Sequence, residues 1–187
     1  MQLQRGRMSV KTVFMDRDGT INVDTNYVNS PQQLSLLPNS GRAVKLLNQK
    51  KYKVVVVSNQ SGVARGYLTL KTLGAIHRKL RQLLKREGAV LDAIYYCPYH
   101  PDEKAPCRKP DIGMARQAEK ELKISLQGSY MIGDSRADIE FGNNIGAKTI
   151  LVLTGQSRGN EPWLQKYRID CVADDLLGAA LWITNDG

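Results

Sequence analysis

Asp16-Arg17-Asp18-Gly19-Thr20 closes the apolar run Thr12-Val13-Phe14-Met15 and sets two carboxylates two residues apart. Delivered by a buried strand into a glycine turn, such a pair can carry out phosphoryl transfer. One carboxylate attacks phosphorus and the other handles the proton of the leaving group. Asp-Gly pairs are also ordinary turn formers, so the pair alone leaves a turn and a site equally open. Three later segments weigh on the choice. Ser58 ends the run Val54–Val57 and opens Ser58-Asn59-Gln60-Ser61-Gly62. Asp134 follows Tyr130-Met131-Ile132-Gly133, and Lys109 stands in Cys107-Arg108-Lys109-Pro110. Taken singly, Ser58 reads as a strand end, Lys109 as a solvated lysine, Gly133-Asp134 as a turn and Asp138 as a helix N-cap. Independent turns rarely fall in this order at successive strand ends, and together the segments read as a site.

A phosphomonoester carries about two negative charges, which repel an attacking carboxylate. A Mg²⁺ held between carboxylate and phosphate oxygens removes that repulsion and orients the phosphorus. Asp16 and Asp134 suit its ligand shell, with the backbone carbonyl of Asp18 as a third ligand. Lys109 and the Ser58 hydroxyl would neutralise and hydrogen-bond the equatorial oxygens. Asp16 would form an aspartyl-phosphate, and Asp18 would protonate the leaving alcohol and then activate water. Gly19 would let the backbone approach closely.

The elements that must position these groups alternate. The apolar patterning predicts strands over Thr12–Met15, Lys53–Val57, Ala93–Tyr96, Tyr130–Ile132, Lys148–Leu153 and Cys171–Ala173. Between them it predicts helices over Gly41–Lys50, Leu70–Glu87, Met114–Leu122, Ala137–Ile145 and Asp175–Ile183. Val54–Val57 is continuously apolar, as a strand covered on both faces should be. Leu73, Ile76, Leu80 and Leu83 recur at helical spacing, with Lys and Arg on the opposite face. Strands alternating with helices imply right-handed βαβ units and an α/β fold with a doubly wound, mainly parallel sheet. Ligands in such sheets bind beyond the carboxyl ends of the strands, where Asp16, Asp18, Ser58 and Asp134 all fall. Lys109, in the irregular stretch Pro98–Asp111, can reach the same edge.

Composition narrows the rest. The chain has 187 residues, 42% hydrophobic and 24% charged, enough for one domain with a sizeable core. No apolar run approaches the roughly 18 residues of a membrane span. No apolar stretch follows the basic start as in a secretory signal, and Met1–Met8 is expected to be flexible. Three cysteines, Cys97, Cys107 and Cys171, argue against a disulfide framework and for a reducing cytoplasm. The net charge of +9 fits a solubilising surface, attraction of a polyanionic substrate, or nucleic-acid binding. No nucleic-acid module is recognisable, and a nucleic-acid binder on a phosphatase fold would be expected to have lost part of the catalytic set.

At residues 16–24 (DRDGTINVD), 54–66 (VVVVSNQSGVARG), 94–101 (IYYCPYHP), 107–114 (CRKPDIGM) and 131–139 (MIGDSRADI), the chain resembles the haloacid dehalogenase superfamily of phosphatases. Within it these segments look like the phosphatases of heptose bisphosphates, and more loosely like the histidinol-phosphatase domain. The resemblance spans about Val10 to Gly155. It implies a Rossmann-like core and Mg²⁺-dependent removal of the 7-phosphate of a heptose 1,7-bisphosphate, with histidinol phosphate or a broader range of esters as the alternative. By it, Asp16 is the nucleophile and Asp18 the acid/base. Asp16, Asp18 and Asp134 hold the metal. Ser58 and Lys109 stabilise the phosphoryl group and Arg108 recognises substrate. Asp24–Tyr27 (Asp24 and Tyr27 foremost) and Asn59, Gln60 and Ser61 line the substrate site. Caps in this superfamily are inserted after the first motif or between the second and third. Residues 21–53 and 59–108 are too short to house one, so residues 1–187 are expected to form a single capless domain, a monomer acting on a small sugar phosphate.

Three positions, in two segments, depart from the family pattern. Its zinc site is spelled Cys-x-His and Cys-x-Cys. Here Tyr99 and Ala105 replace two of the four ligands, leaving Cys97, Cys107 and a displaced His100. A closed zinc site needs four ligands, so the loop is expected to order by packing and its prolines instead. Ser135, followed by Arg136, stands where several relatives place lysine. Arg65 reads equally as a surface residue or as a contact to a second phosphate, and Tyr95 and Tyr96 as core or wall.

Overall fold

The computed structural model describes residues 11–186, so the flexible start expected over Met1–Met8 lies outside the described residues. Six strands alternate with helices: β1 (Thr12–Met15), α1 (Ser40–Gln49), β2 (Lys53–Asn59), α2 (Leu70–Arg86), β3 (Ala93–Cys97), α3 (Gly113–Leu122), β4 (Tyr130–Gly133), α4 (Arg136–Asn144), β5 (Lys148–Val152), β6 (Cys171–Ala173) and α5 (Leu176–Asp186). The strands form one sheet in the order β3-β2-β1-β4-β5-β6, and every pair is parallel. This is the doubly wound architecture expected from the alternation. Each predicted strand and helix is present with ends shifted by no more than three residues. Two short 3₁₀ turns, Pro31–Gln33 and Pro162–Lys166, were not predicted, because a single turn opened by proline leaves no periodic trace.

Alternation along the strands divides the core. Val13, Met15, Val54, Val56 and Ile132 face one side, under α1, α2 and α5. Phe14, Val55, Val57 and Met131 face the other, under α3 and α4. A strand buried on both faces must be apolar throughout, which is why β1 and β2 carry hardly any polar side chain before their last residues. The strand order reverses between β1 and β4. The chain leaves β1 for β2 on one flank and returns to β4 on the other, opening a crevice at the carboxyl ends. β1 ends at this crevice next to Asp16, and β4 next to Asp134. No separate cap domain covers it among the described residues.

Candidate active site

Lys109 lies at the centre of the crevice. It is 4% exposed, and its Nζ donates to Asp16 Oδ1 (2.7 Å), Asp138 Oδ1 (2.6 Å) and the carbonyl of Val57 (2.8 Å). A buried ammonium needs partners of this kind. The loop after β3 brings it there. Asn59, the last residue of β2, clamps the backbone of that loop. Its Oδ1 accepts from the Lys109 N–H (3.0 Å) and its Nδ2 donates to the Lys109 carbonyl (3.1 Å).

Carboxylate oxygens of Asp16, Asp134 and Asp138 all lie within 4.8 Å of one another. Three hard oxygen donors at that spacing suit a divalent cation such as Mg²⁺. Asp134 accepts from the Gln156 N–H (2.7 Å) and from Thr20 Oγ1 (3.4 Å). The turn after β1 and the chain beyond β5 press against it. A Cβ at Gly19 would stand 2.5 Å from Asp134 Oδ2, and one at Gly155 1.9 Å. Gly19 also has φ +77°. The close approach anticipated for Gly19 is therefore a packing requirement, shared with Gly155.

Asp138 was read from sequence as an N-cap. It sits instead in the first turn of α4, where its Oδ2 accepts from the Ser135 hydroxyl (2.6 Å) and N–H (3.1 Å) while Oδ1 faces Lys109. Its placement follows from the spacing Gly133-Asp134-x-x-x-Asp138. One helical turn returns the second carboxylate to the edge that presents the first.

Asp18 turns away from the carboxylate cluster. Arg17, 0% exposed, donates to both of its oxygens from Nη2 (2.9 and 2.6 Å) and to Oδ1 from Nε (3.1 Å). Asn22 Nδ2 (2.8 Å) and Gln60 Nε2 (2.9 Å) add two more bonds. Arg17 Nη1 also stands 3.3 Å from His77 Nε2. Sequence reasoning missed Arg17, Asn22 and His77 as supports, since nothing in DRDGTIN says that the arginine folds inward. Gln60 Nε2 also donates to Ser58 Oγ (2.8 Å), so Gln60 acts behind the site, orienting Asp18 and Ser58.

The remaining expected residues line a cleft of about 690 Å³ that includes Asp16, Asp18, Asp24, Tyr27, Ser58, Asn59, Ser61, Arg108 and Lys109. Asp24 caps a turn by accepting from the Asn26 N–H (2.8 Å). The Tyr27 ring meets Tyr67 edge-on at 4.8 Å. Arg108 reaches the Tyr99 carbonyl (3.4 Å) and carries no carboxylate partner among the described residues. Tyr95 is core, its hydroxyl on Glu121.

One expectation from the cysteines is corrected. Cys97 and Cys107 are joined as a disulfide, leaving Cys171 free. The odd count argued against cross-links, but it could not show that the loop returns Cys107 to the end of β3. His100 is engaged locally, its Nδ1 3.2 Å from Asp102 Oδ2.

Charge crowding shifts the carboxylates. Burial, opposed by Lys109 and reinforced by Asp138 and Asp18, pushes Asp16 up to about 7. Burial with Asp138 and Asp16 pushes Asp134 up to about 8. Burial opposes the charge of Lys109 also, yet Asp138 and Asp16 hold it above the usual lysine range. Burial works against ionised Asp18 too, but the Arg17 guanidinium and the bonds from Asn22 and Gln60 hold its carboxyl below the usual range. Burial and Arg17 push His77 down to about 3, so the imidazole is neutral.

A stability prediction follows. In unfolded chain these carboxyls ionise near pH 4, whereas folded Asp16 and Asp134 keep their protons to about 7 and 8. The folded state binds more protons in that window, so their contribution is present at low pH and lost as pH rises through the raised values. Metal-free protein is expected to melt at progressively lower temperature from pH 5 to pH 8. Added Mg²⁺ should raise Tm more at pH 8 than at pH 5. Calorimetry with and without the ion checks this, and equal shifts at both pH values would contradict the crowding.

Residues 106–179 match a family model described as HAD-hydrolase-like. The chain is 40% identical over 148 residues to a D-glycero-beta-D-manno-heptose-1,7-bisphosphate 7-phosphatase of Pseudomonas putida, covering 79% of this chain and 85% of that protein. It is 41% identical over 158 residues to the phosphatase of the same name from Haemophilus ducreyi, covering 80% and 87%. Among solved structures it superimposes on D,D-heptose 1,7-bisphosphate phosphatase of Bordetella bronchiseptica, complexed with magnesium and phosphate. The TM-score is 0.86 at 36% identity, with 95% of this chain and 99% of that one covered.

Proposed function

Because the chain belongs to the D-glycero-beta-D-manno-heptose-1,7-bisphosphate 7-phosphatase family, a branch of the haloacid-dehalogenase-like phosphatases, we propose that it removes the 7-phosphate of a heptose 1,7-bisphosphate. It is a phosphoric monoester hydrolase, and Mg²⁺ fits the three-carboxylate cluster. The observation that carries the residue assignment is the seat of Asp16, at the tip of β1 between Lys109 and the cluster, with Asp18 one turn away. Asp16, Asp134 and Asp138 would hold the ion through their side chains, and the Asp18 backbone carbonyl would complete the protein's share. When bound, the ion offsets the charge of the phosphoryl oxygens and so reduces repulsion of the nucleophile.

Asp16 attacks phosphorus and becomes an aspartyl-phosphate. Lys109 and the Ser58 hydroxyl, the latter oriented by Gln60, meet the equatorial oxygens as their charge redistributes. Asp18 gives a proton to the leaving alkoxide. Arg17 keeps it ionised in the resting site, and the approach of a negatively charged phosphoryl group favours the proton it then carries. Once the alcohol has left, ionised Asp18 takes a proton from the water that hydrolyses the aspartyl-phosphate. Each proton lost is returned and Asp16 is regenerated.

The open cleft suits an extended bisphosphate. Arg108 is half-buried, its charge disfavoured by burial and by neighbouring Arg65. An incoming anion relieves that repulsion, so Arg108 is the contact for the distal phosphate. Arg108→Ala should leave kcat on a simple phosphate ester within about twofold and raise KM for the bisphosphate by roughly tenfold, as expected for a lost charge-assisted contact. Unchanged relative kcat/KM for the two substrates would remove Arg108 from recognition. The function itself is tested on a panel of esters containing both anomers of heptose 1,7-bisphosphate and histidinol phosphate. The bisphosphate should turn over with the highest kcat/KM. The reading extends to residues 1–187 as one capless catalytic unit, a monomer in the cytoplasm. Among the described residues no helix is long and apolar enough to cross a membrane.

A further inference from the structure

The end of β3 and the end of β2 hold the same loop by two different means. Asn59 and Cys97 are register partners on the adjacent strands. Asn59 clamps the backbone of Lys109 through two hydrogen bonds. Cys97 is bonded to Cys107, two residues earlier in the loop. The pair of anchors fixes Cys107 and Lys109, and Arg108 between them, against the edge of the sheet. From that short span Lys109 reaches Asp16 and Asp138, and Arg108 reaches the mouth of the cleft. The rest of the loop is held by its own turns, with Arg108 N–H on the Ala105 carbonyl (2.9 Å) and Gly113 N–H on the Pro106 carbonyl (2.9 Å). These turns shape the loop but do not tie it to β3.

We propose that Cys97 and Cys107 are an oxidation site whose disulfide seats the Arg108-Lys109 segment, so that phosphatase activity is greater in the oxidised protein than in the reduced one. Cys97 is fully buried and Cys107 half-buried, which sets the order of the chemistry. The Cys107 thiolate attacks a low-molecular-weight disulfide such as oxidised glutathione and releases one thiol. The Cys97 thiolate then displaces the second thiol from the mixed disulfide. Two protein thiols are oxidised and one small disulfide is reduced to two thiols. Cys171, on β6 at the far side of the sheet, has no cysteine partner. Reduction removes the covalent anchor and leaves only hydrogen bonds: the Asn59 clamp, Asn144 Nδ2 on the Pro110 carbonyl, and the Lys109 ammonium on Asp16, Asp138 and the Val57 carbonyl. A cross-link between residues ten apart restricts the loop mainly by limiting its open conformations. If the untethered loop seats Lys109 about a fifth of the time, kcat/KM falls about fivefold.

The test uses the full chain and reads thiols first. Protein equilibrated with oxidised glutathione, acid-quenched and denatured should show one free thiol, Cys171, and three after treatment with a dithiol reductant. The oxidised form should also melt higher. Activity on p-nitrophenyl phosphate should fall about fivefold on reduction and return on reoxidation. Cys171→Ser should keep this response. Cys97→Ser, if folded, should resemble the reduced protein and ignore reductant. Three free thiols after oxidised glutathione, or one zinc bound per chain through these sulfurs, would overturn the disulfide. A changed thiol count with unchanged kcat/KM would overturn its link to activity. Thiol count and melting temperature do not depend on the substrate, so they stand apart from the heptose bisphosphate reading.

Discussion

Asp16→Asn is expected to abolish turnover, lowering kcat by roughly 10⁴-fold or more, while the protein still folds. A neutral amide does not attack phosphorus, and loss of a nucleophile removes the step on which the other groups act. The fold should survive because the change is nearly isosteric and Lys109 keeps Asp138 and the Val57 carbonyl as partners. The substitution also takes one negative charge from a crowded set of three. The variant should therefore lose part of the Tm decline between pH 5 and pH 8 expected of metal-free protein. Acid-quenched single turnover with radiolabelled phosphate should trap label on the wild-type chain and none on the variant. Near-native rates from Asp16→Asn, verified intact by mass spectrometry, would remove Asp16 from the nucleophile's role.

The fold was legible because its signals are local and repeated. Val54–Val57 could only be a strand covered on both faces, and the spacing of Leu73, Ile76 and Leu80 could only cover a sheet with a helix. Asp16, Ser58 and Asp134 were legible because a parallel sheet must present the ends of its strands at one edge. What sequence did not show depends on inward turns of side chains. Arg17 lies between two acids in the chain, and nothing local distinguishes a guanidinium that folds onto Asp18 from one in solvent. His77 occupies a core-facing helical position and became a polar partner only because Arg17 arrives from β1. Asn59 and Gln60 were expected to meet substrate. Asn59 does line the cleft, but its amide is also spent on Lys109, and that of Gln60 on Asp18 and Ser58. Cys97 and Cys107 read as the remains of a metal site. Their bond depends on the path of residues 98–106 between them, which three prolines make irregular and therefore silent to periodicity.

Lys109→Met should have the second-largest effect, and its two consequences separate by pH. Methionine fills a similar volume but brings no charge to a position that is 4% exposed. In metal-free protein at pH 8, Asp16 and Asp138 lose the cation they share, and breaking a buried pair from one side costs about 3–5 kcal/mol. Burial and neighbouring acids already push Asp16 up to about 7, and without the lysine, which opposes that shift, it rises further. At pH 5 the Asp16 proton is in place and the stability loss should be smaller. Mg²⁺ should recover part of the loss at pH 8, because a divalent ion supplies positive charge to the same three carboxylates. Turnover should not recover with it. In the proposed mechanism Lys109 also meets the equatorial oxygens of the phosphoryl group, and removing one such preorganised donor costs roughly 10²–10³ in kcat. Calorimetry at the two pH values gives the first consequence, and kcat at saturating Mg²⁺ gives the second. A variant that melts like wild type at pH 8, or whose kcat is restored by the ion, would show that Lys109 serves only to neutralise its neighbours or not even that. Depressed kcat in a protein restabilised by Mg²⁺ places the ammonium on the reacting phosphate.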